Sequence, residues 1–203
     1  MNKTFSESVN FRHACKIFNK NKKISPDTLK KILEDTILAP SSFGIEGWKF
    51  LVIQNQELKE KLKPYCWNQP QITTCSELVV LLYRKNMTSK DLYVQNSLKR
   101  RGKYYEKTLQ RYASFIDNRK DEEIDCWSKA QTYIASAFLM LSASSYGVDS
   151  CPIEGFELDQ VKNLLKYDKN NYEISYMVAL GYRTNSQQKR ERKDFDELIE
   201  FIL

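Results

Sequence analysis

A chain of 203 residues, 41% hydrophobic, 12% aromatic and 29% charged, has the makeup of one globular domain spanning 1–203. Folding at this length buries roughly 70% of the unfolded chain's surface, so no disulfide or metal staple is required. Six Gly and five Pro exclude collagen-like and low-complexity classes, and the formal charge of +6 favours anionic partners without naming them. The longest apolar runs are too short to cross a bilayer, and the start, 1–8, has no apolar signal core; a cytoplasmic protein with no membrane partner is expected. Five Cys is an odd count, with no C-x-x-C and one His, which argues against a disulfide framework or a zinc site.

In chain order, Ser25-Pro26-Asp27 starts a helix: Ser25 can cap it, and Pro26 lacks the N–H that the first turn leaves unsatisfied. Leu29, Ile32, Leu33 and Ile37 follow at helical spacing, and the pattern stops before Pro40. The run WKFLVI at 48–53 reads as a strand, and a short charged helix at 56–63 ends at Pro64. LVVLLY at 78–83 is apolar on both faces, as a central strand requires. Residues 91–118 form a long charged helical region; 122–146 form another helix, with Ile134, Phe138, Leu141 and Ser145 on one side and Gly147 just past its end. A short helix at 158–166 and a second buried strand at 174–180 follow. The chain after Gly181 is polar and basic up to Phe195, then apolar at Leu198, Ile199, Phe201, Ile202 and Leu203, which suggests docking on the core or on a partner. The elements sum to an α+β domain in which helices surround a small mixed β-sheet.

Conventional catalytic equipment is scarce. The one His is His13, no G-x-S-x-G elbow exists, and the six glycines form neither G-x-G-x-x-G nor a P-loop. Phosphate must then be held by Arg and Lys side chains, and an enzyme built this way needs an organic cofactor for its chemistry. Taken singly, the basic clusters 99–103 and 183–193 read as solvated faces. Cys15 and Cys151 read as small buried hydrophobes, and Trp48, Trp67 and Trp127 as core residues.

Four segments acquire meaning together: Arg12-His13-Ala14-Cys15-Lys16-Ile17-Phe18, Pro40-Ser41-Ser42-Phe43-Gly44-Ile45-Glu46-Gly47-Trp48, Pro152-Ile153-Glu154-Gly155-Phe156 and Arg190-Glu191-Arg192-Lys193. In order and spacing they resemble the FMN-dependent nitroreductase family over nearly the whole chain. The likeness is to its oxygen-insensitive NAD(P)H nitroreductases, particularly an ε-proteobacterial-type branch with Cys in the first motif. The resemblance implies a nitroreductase-like fold and an intertwined homodimer, with the C-terminal segment exchanged onto the partner and FMN bound at the interface. It implies that Arg12, Arg190 and Arg192 grip the FMN phosphate, that His13 and Ala14 shape that end, and that Lys16 lies by the pyrimidine edge of the ring. Pro40, Ser41, Ser42 and Gly44 would come from the opposite subunit; Asn68, Gln71 and Gln131 would contact the flavin. Pro152, Ile153, Glu154 and Gly155 would lie against the ring.

The implied activity is ping-pong hydride transfer from NAD(P)H, through FMN, to nitroaromatics, quinones or free flavins. This sequence departs from the family pattern at Gly44 (usually Asn), Glu46-Gly47 (usually Gln-Pro), Gln71 (often Lys), Arg190 (usually Lys) and Ala14 (usually a hydroxyl residue). Two other readings stand beside it: a dehalogenase or dehydrogenase-like flavoenzyme on the same scaffold, and a nucleic-acid binder supported only by charge and by 12 Tyr and 10 Phe.

Overall fold

The structure, a computed structural model, describes residues 3–202. Among the described residues the α-helices and strands follow in the order α1 (Phe5–Phe11), α2 (Pro26–Ile37), β1 (Trp48–Ile53), α3 (Gln56–Leu62), α4 (Gln71–Thr74), β2 (Glu77–Arg84), α5 (Leu92–Lys99), α6 (Tyr105–Ile116), α7 (Asp121–Ser145), β3 (Asp149–Ile153), α8 (Leu158–Leu164), β4 (Tyr172–Gly181) and α9 (Phe195–Leu198). Helix α2 begins as its sequence dictates: the Ser25 side chain accepts the Thr28 N–H and Pro26 occupies the first turn. Asn55 caps α3 and Asp91 caps α5 in the same way. Gly147 lies just past α7 with φ 73°, the left-handed value at which a Cβ is disfavoured.

The strands form one sheet in the order β1-β2-β4-β3. Period-two alternation sends Leu78, Val80, Leu82, Met177 and Ala179 to one face, against α3, α4 and α8. Val79, Leu81, Tyr176, Val178 and Leu180 go to the other, against α2 and α7. Both faces are therefore covered, which is why β2 and β4 read as continuous apolar runs. A third cluster, Ile45, Met87, Val94, Leu98, Tyr112, Ile116 and Ile124, packs α5 and α6 onto the start of α7.

Four expectations are corrected. The sheet is antiparallel at every strand pair rather than mixed; among the described residues, parallel pairing is confined to the isolated bridge between Ala14 and Ser150. The region 91–118 is broken at 102–104 by a short 3-10 turn, where Gly102 takes φ 56°. The α7 side bearing Ile134 and Phe138 faces solvent, while Thr132, Ala135, Leu139 and Ala143 are buried. Trp67 is not core: it is 67% exposed, whereas Trp48 is buried. Among the described residues no helix is long and apolar enough to cross a membrane.

Candidate functional site

Helix α1 ends at Arg12, whose extended backbone turns the chain alongside β3. There the Cys15 N–H donates to the Ser150 carbonyl at 3.0 Å and the Asn19 N–H to the Tyr182 carbonyl at 2.7 Å. Cys15 and Phe18 point into the core, leaving Lys16 exposed. Gly181 permits this close approach, since a Cβ there would meet the Phe18 ring at 2.9 Å. The Lys16 Nζ reaches the Cys151 Sγ at 3.6 Å, which ties the segment to the β3 edge.

The chain beyond β4 returns to the same place. Arg183 donates to the buried Asp149 carboxylate from Nε at 2.7 Å and from its backbone N–H at 2.8 Å, and to the Phe11 carbonyl at 3.1 Å. Its guanidinium also lies over the Phe11 ring, 4.1 Å from the centroid. Arg190 donates to the carbonyls of Val9 at 2.9 Å and Asn10 at 3.3 Å, and to that of Arg12. Both ends of the chain thereby wall one cavity of about 660 Å³, lined by Arg12, His13, Ala14, Lys16, Arg190 and Arg192 among others.

This cavity is strongly positive. Burial, then the neighbouring Arg190 and Arg192 charges, press the Arg12 pKa below its ordinary value. Among the described residues no carboxylate pairs with Arg12, Arg190 or Arg192, and the Arg12 guanidinium donates no hydrogen bond. His13 is driven down by burial and by Arg183, only partly opposed by Asp149, whose Oδ1 stands 3.6 Å from Nδ1. It is therefore neutral near pH 7. Burial raises the Cys15 thiol to about 11 and also raises Cys151 despite Lys16, as inert packed thiols require.

The turn at 152–155 leaves the edge strand β3, where Pro152 costs no interior ladder bond. Ile153 is buried and Glu154 exposed. Gly155 lies against Trp67: a Cβ would sit 2.5 Å from ring atoms Cε3 and Cζ3. Gln69 donates to the Gly155 carbonyl at 2.8 Å, which fixes the 67–71 segment to this turn. Asn68 is exposed with φ 54°. Gln71 is buried, its Nε2 donating to Gln69 at 2.8 Å. Among the described residues the Glu154 and Gly155 backbone N–H groups have no acceptor.

Pro40, Ser41, Ser42 and Gly44 lie elsewhere, between α2 and β1. Gln131 of α7 accepts the Ser42 N–H at 2.9 Å, and Ser41 Oγ accepts the Glu46 N–H at 2.9 Å. Phe43, Gly44 and Glu46 all take left-handed φ, at 57°, 63° and 56°. Two residues of the basic 99–103 cluster hold this loop: Arg100 donates to the Gly44 carbonyl at 2.7 Å, and Arg101 to that of Phe43 at 2.9 Å. Those side chains are not merely solvated, contrary to the sequence expectation. Among the described residues no hydrogen bond or ion pair joins this loop to the Arg12 segment or to the 152–155 turn.

Sequence reasoning missed Asp149 and Arg183, the pair that orients the cavity wall, and Trp67 as the platform under Gly155. No local pattern marks the pair, because Asp149 opens a strand, DSCPI, that has little strand character of its own.

The domain thus sets helices on both faces of a small antiparallel sheet and presents a cavity walled by both chain ends, in which Arg12, Lys16, Arg183, Lys189, Arg190 and Arg192 outnumber the single acid Glu191. The nitroreductase family model matches residues 9–182, and the chain belongs to that family of oxidoreductases. The chain is 41% identical to "Putative NAD(P)H nitroreductase SH0546" of Staphylococcus haemolyticus, covering 100% of this chain and 99% of the relative. The crystal structure of the "putative NAD(P)H:FMN oxidoreductase" of Staphylococcus epidermidis is 26% identical with TM-score 0.80, covering 100% of this chain and 98% of that one. A nitroreductase from Exiguobacterium sibiricum, described as putative and solved in complex with FMN, shares the fold at TM-score 0.84 and 24% identity, covering 99% of this chain and 100% of that one. None of these comes from the ε-proteobacterial branch that the first motif suggested.

Proposed function

We propose that the chain is an FMN-dependent oxidoreductase that carries hydride from NAD(P)H to nitroaromatic compounds, quinones or free flavins. The observation that carries this reading is the convergence of Arg12, Arg190 and Arg192, brought from opposite ends of the sequence onto one cavity, where none of the three is ion-paired with a carboxylate among the described residues, although Glu191 also lines it. Mutually repelling cations are costly to hold together, and a phosphate dianion offsets that cost while accepting several guanidinium N–H bonds.

The residues fit FMN. Arg12, Arg190 and Arg192 would hold its phosphate, with neutral His13 and Ala14 completing that end of the cavity. Lys16, exposed beside Cys151, would meet the pyrimidine edge of the ring and keep a fixed positive charge where negative charge develops on reduction. The Glu154 and Gly155 N–H groups would donate to the flavin, and Pro152 would pack on it, with buried Ile153 fixing the turn from beneath. Asn68 would donate from the exposed start of the segment pinned by Gln69. Gln71 would act on the ring through Gln69, and Gln131 by seating Ser42. Bound there, FMN supplies the two-electron hydride chemistry that these side chains lack.

The loop carrying Pro40, Ser41, Ser42 and Gly44 would reach the flavin of a second copy. A homodimer is supported by uncovered apolar surface: Ile134 and Phe138 on α7, Ile37 and Leu38 at the end of α2, and Phe195, Leu198 and Phe201 in the tail. Leu203, the last residue of that apolar tail, lies outside the described residues.

The test is a fluorescence titration of flavin-stripped protein with FMN and with riboflavin, which lacks the phosphate. FMN should bind at least 100-fold more tightly, since two or more charge-assisted bonds at about 1.5 kcal/mol each are lost with riboflavin. Equal affinities would remove the basis of the assignment.

A further inference from the structure

A second cavity, of about 370 Å³, is lined by Phe43, Arg101, Tyr104, Lys107, Thr108 and Arg111. It belongs to none of the segments placed around FMN except through Phe43, the neighbour of Ser42 and Gly44. Helix α6 supplies most of it by spacing: Lys107, Thr108 and Arg111, with Tyr104 at its N-cap, recur at intervals of three or four residues and so share one face. Its lining holds three cations and no carboxylate. The chain from Lys99 to Arg111 carries six basic residues against the single acid Glu106. The nearest ion pair, Arg100 with Glu46 at 3.4 Å, occupies neither Lys107 nor Arg111.

The walls are aromatic. Tyr104 is 60% exposed and offers a ring to solvent. Phe43 is held edge-on to buried Tyr112, with centroids 5.1 Å apart, so its position is fixed from behind. Arg101 is held too, by its bond to the Phe43 carbonyl, which leaves other guanidinium N–H groups to donate. A cationic floor beside an accessible aromatic ring suits a phosphomonoester carried on a purine nucleoside: the phosphate meets the guanidinium and ammonium groups and the base stacks.

We propose that this cavity takes the adenosine 2′-phosphate of NADPH and makes the phosphorylated dinucleotide the preferred donor. The inference rests on the oxidoreductase reading above and adds to it the choice between the two nicotinamide cofactors. Arg101 couples the two sites: the residue that would meet the 2′-phosphate also holds the carbonyl next to Gly44, in the loop expected at the flavin.

The experiment uses flavin-loaded protein and reads binding by calorimetry, independently of turnover. The probes are 2′,5′-ADP, 5′-AMP and inorganic phosphate. Wild type should bind 2′,5′-ADP at least ten-fold more tightly than 5′-AMP, and inorganic phosphate should compete only weakly. The double variant Lys107→Gln, Arg111→Gln should abolish that difference and lower the NADPH-to-NADH ratio of kcat/KM by ten-fold or more, about one charge-assisted bond. The equal-charge control Lys20→Gln, Lys30→Gln, on exposed positions elsewhere, should leave the ratio near its wild-type value. Equal affinity for the two nucleotides, or a difference that survives the double variant, overturns the proposal. Displacement of 2′,5′-ADP by inorganic phosphate at matched concentration also overturns it, by reducing the cavity to a simple anion site. If the protein proves yellow and reducible while 2′,5′-ADP shows no preference, this inference alone fails; protein that retains no flavin fails the reading beneath it.

Discussion

Arg12 is the residue on which the cofactor reading turns most sharply. Its guanidinium makes no hydrogen bond among the described residues, so Arg12→Ala removes charge without cutting the scaffold. FMN affinity should fall about 10- to 100-fold in a fluorescence titration, with the melting temperature of the flavin-free protein unchanged or raised as repulsion is relieved. Arg190→Ala differs: it also releases the carbonyls of Val9 and Asn10, so both flavin affinity and stability should drop. Gly155→Ala tests the Trp67 contact. The new methyl must displace the indole ring, a change worth about 1 kcal/mol, or about 2–4 °C in a thermal melt. An unshifted melt would show that Trp67 swings aside freely.

His13 sets a pH dependence at the same scale. Its folded pKa lies below the unfolded value of about 6.5 because burial and Arg183 disfavour the cation. The unfolded chain therefore binds this proton first. The stability contributed by neutral His13 is complete above about pH 6.5 and is lost as pH falls through the folded value. His13→Gln should flatten that part of the stability profile, measured by urea unfolding between pH 7 and pH 5. An unchanged slope would assign it to other groups.

Among the elements, the loop at 41–47 is the one most dependent on distant side chains. Three left-handed residues would relax if unclamped, and Arg100 and Arg101 clamp them from beyond α5. Helix α5 is itself fixed by Asp91, which caps it and accepts a bond from Arg84 at 2.9 Å. Arg100→Ala should speed amide hydrogen exchange across 41–47 about five-fold, as loss of roughly 1 kcal/mol of local stability implies. Exchange at the wild-type rate would mean the clamp is ornamental.

The elements also show what was legible in the sequence. β1 appears over the expected residues because WKFLVI is bounded by turn residues, and α2 because Ser25-Pro26 and Pro40 punctuate it. β3 was illegible: five residues, DSCPI, with Asp, Ser and Pro, have little strand propensity and are recruited by pairing to β4. α1 was missed because it buries only Ser8 and so shows no apolar period, although Thr4 and Glu7 form a capping box. In the site, the arginines could be named from motifs, but the Asp149–Arg183 pair could not. The residues are 34 positions apart, and only the β3–β4 register makes them neighbours.

For the whole molecule, the apolar tail is the feature a lone subunit leaves unused. Phe195, Leu198, Ile199 and Phe201 stay exposed, as does the outer face of α7. Deleting 194–203 should weaken or abolish the dimer in sedimentation velocity and lower flavin retention with it. A truncated protein that sediments as full-length dimer would move the interface elsewhere.

The most direct measurement is an anaerobic reductive titration of the purified, full-length protein followed by its visible spectrum. Protein as isolated should be yellow, with flavin absorbance near 450 nm, and that band should bleach stoichiometrically on addition of NADPH. Colourless protein that takes up no FMN, or a bound flavin that neither nicotinamide nucleotide can reduce, would contradict the account at its root.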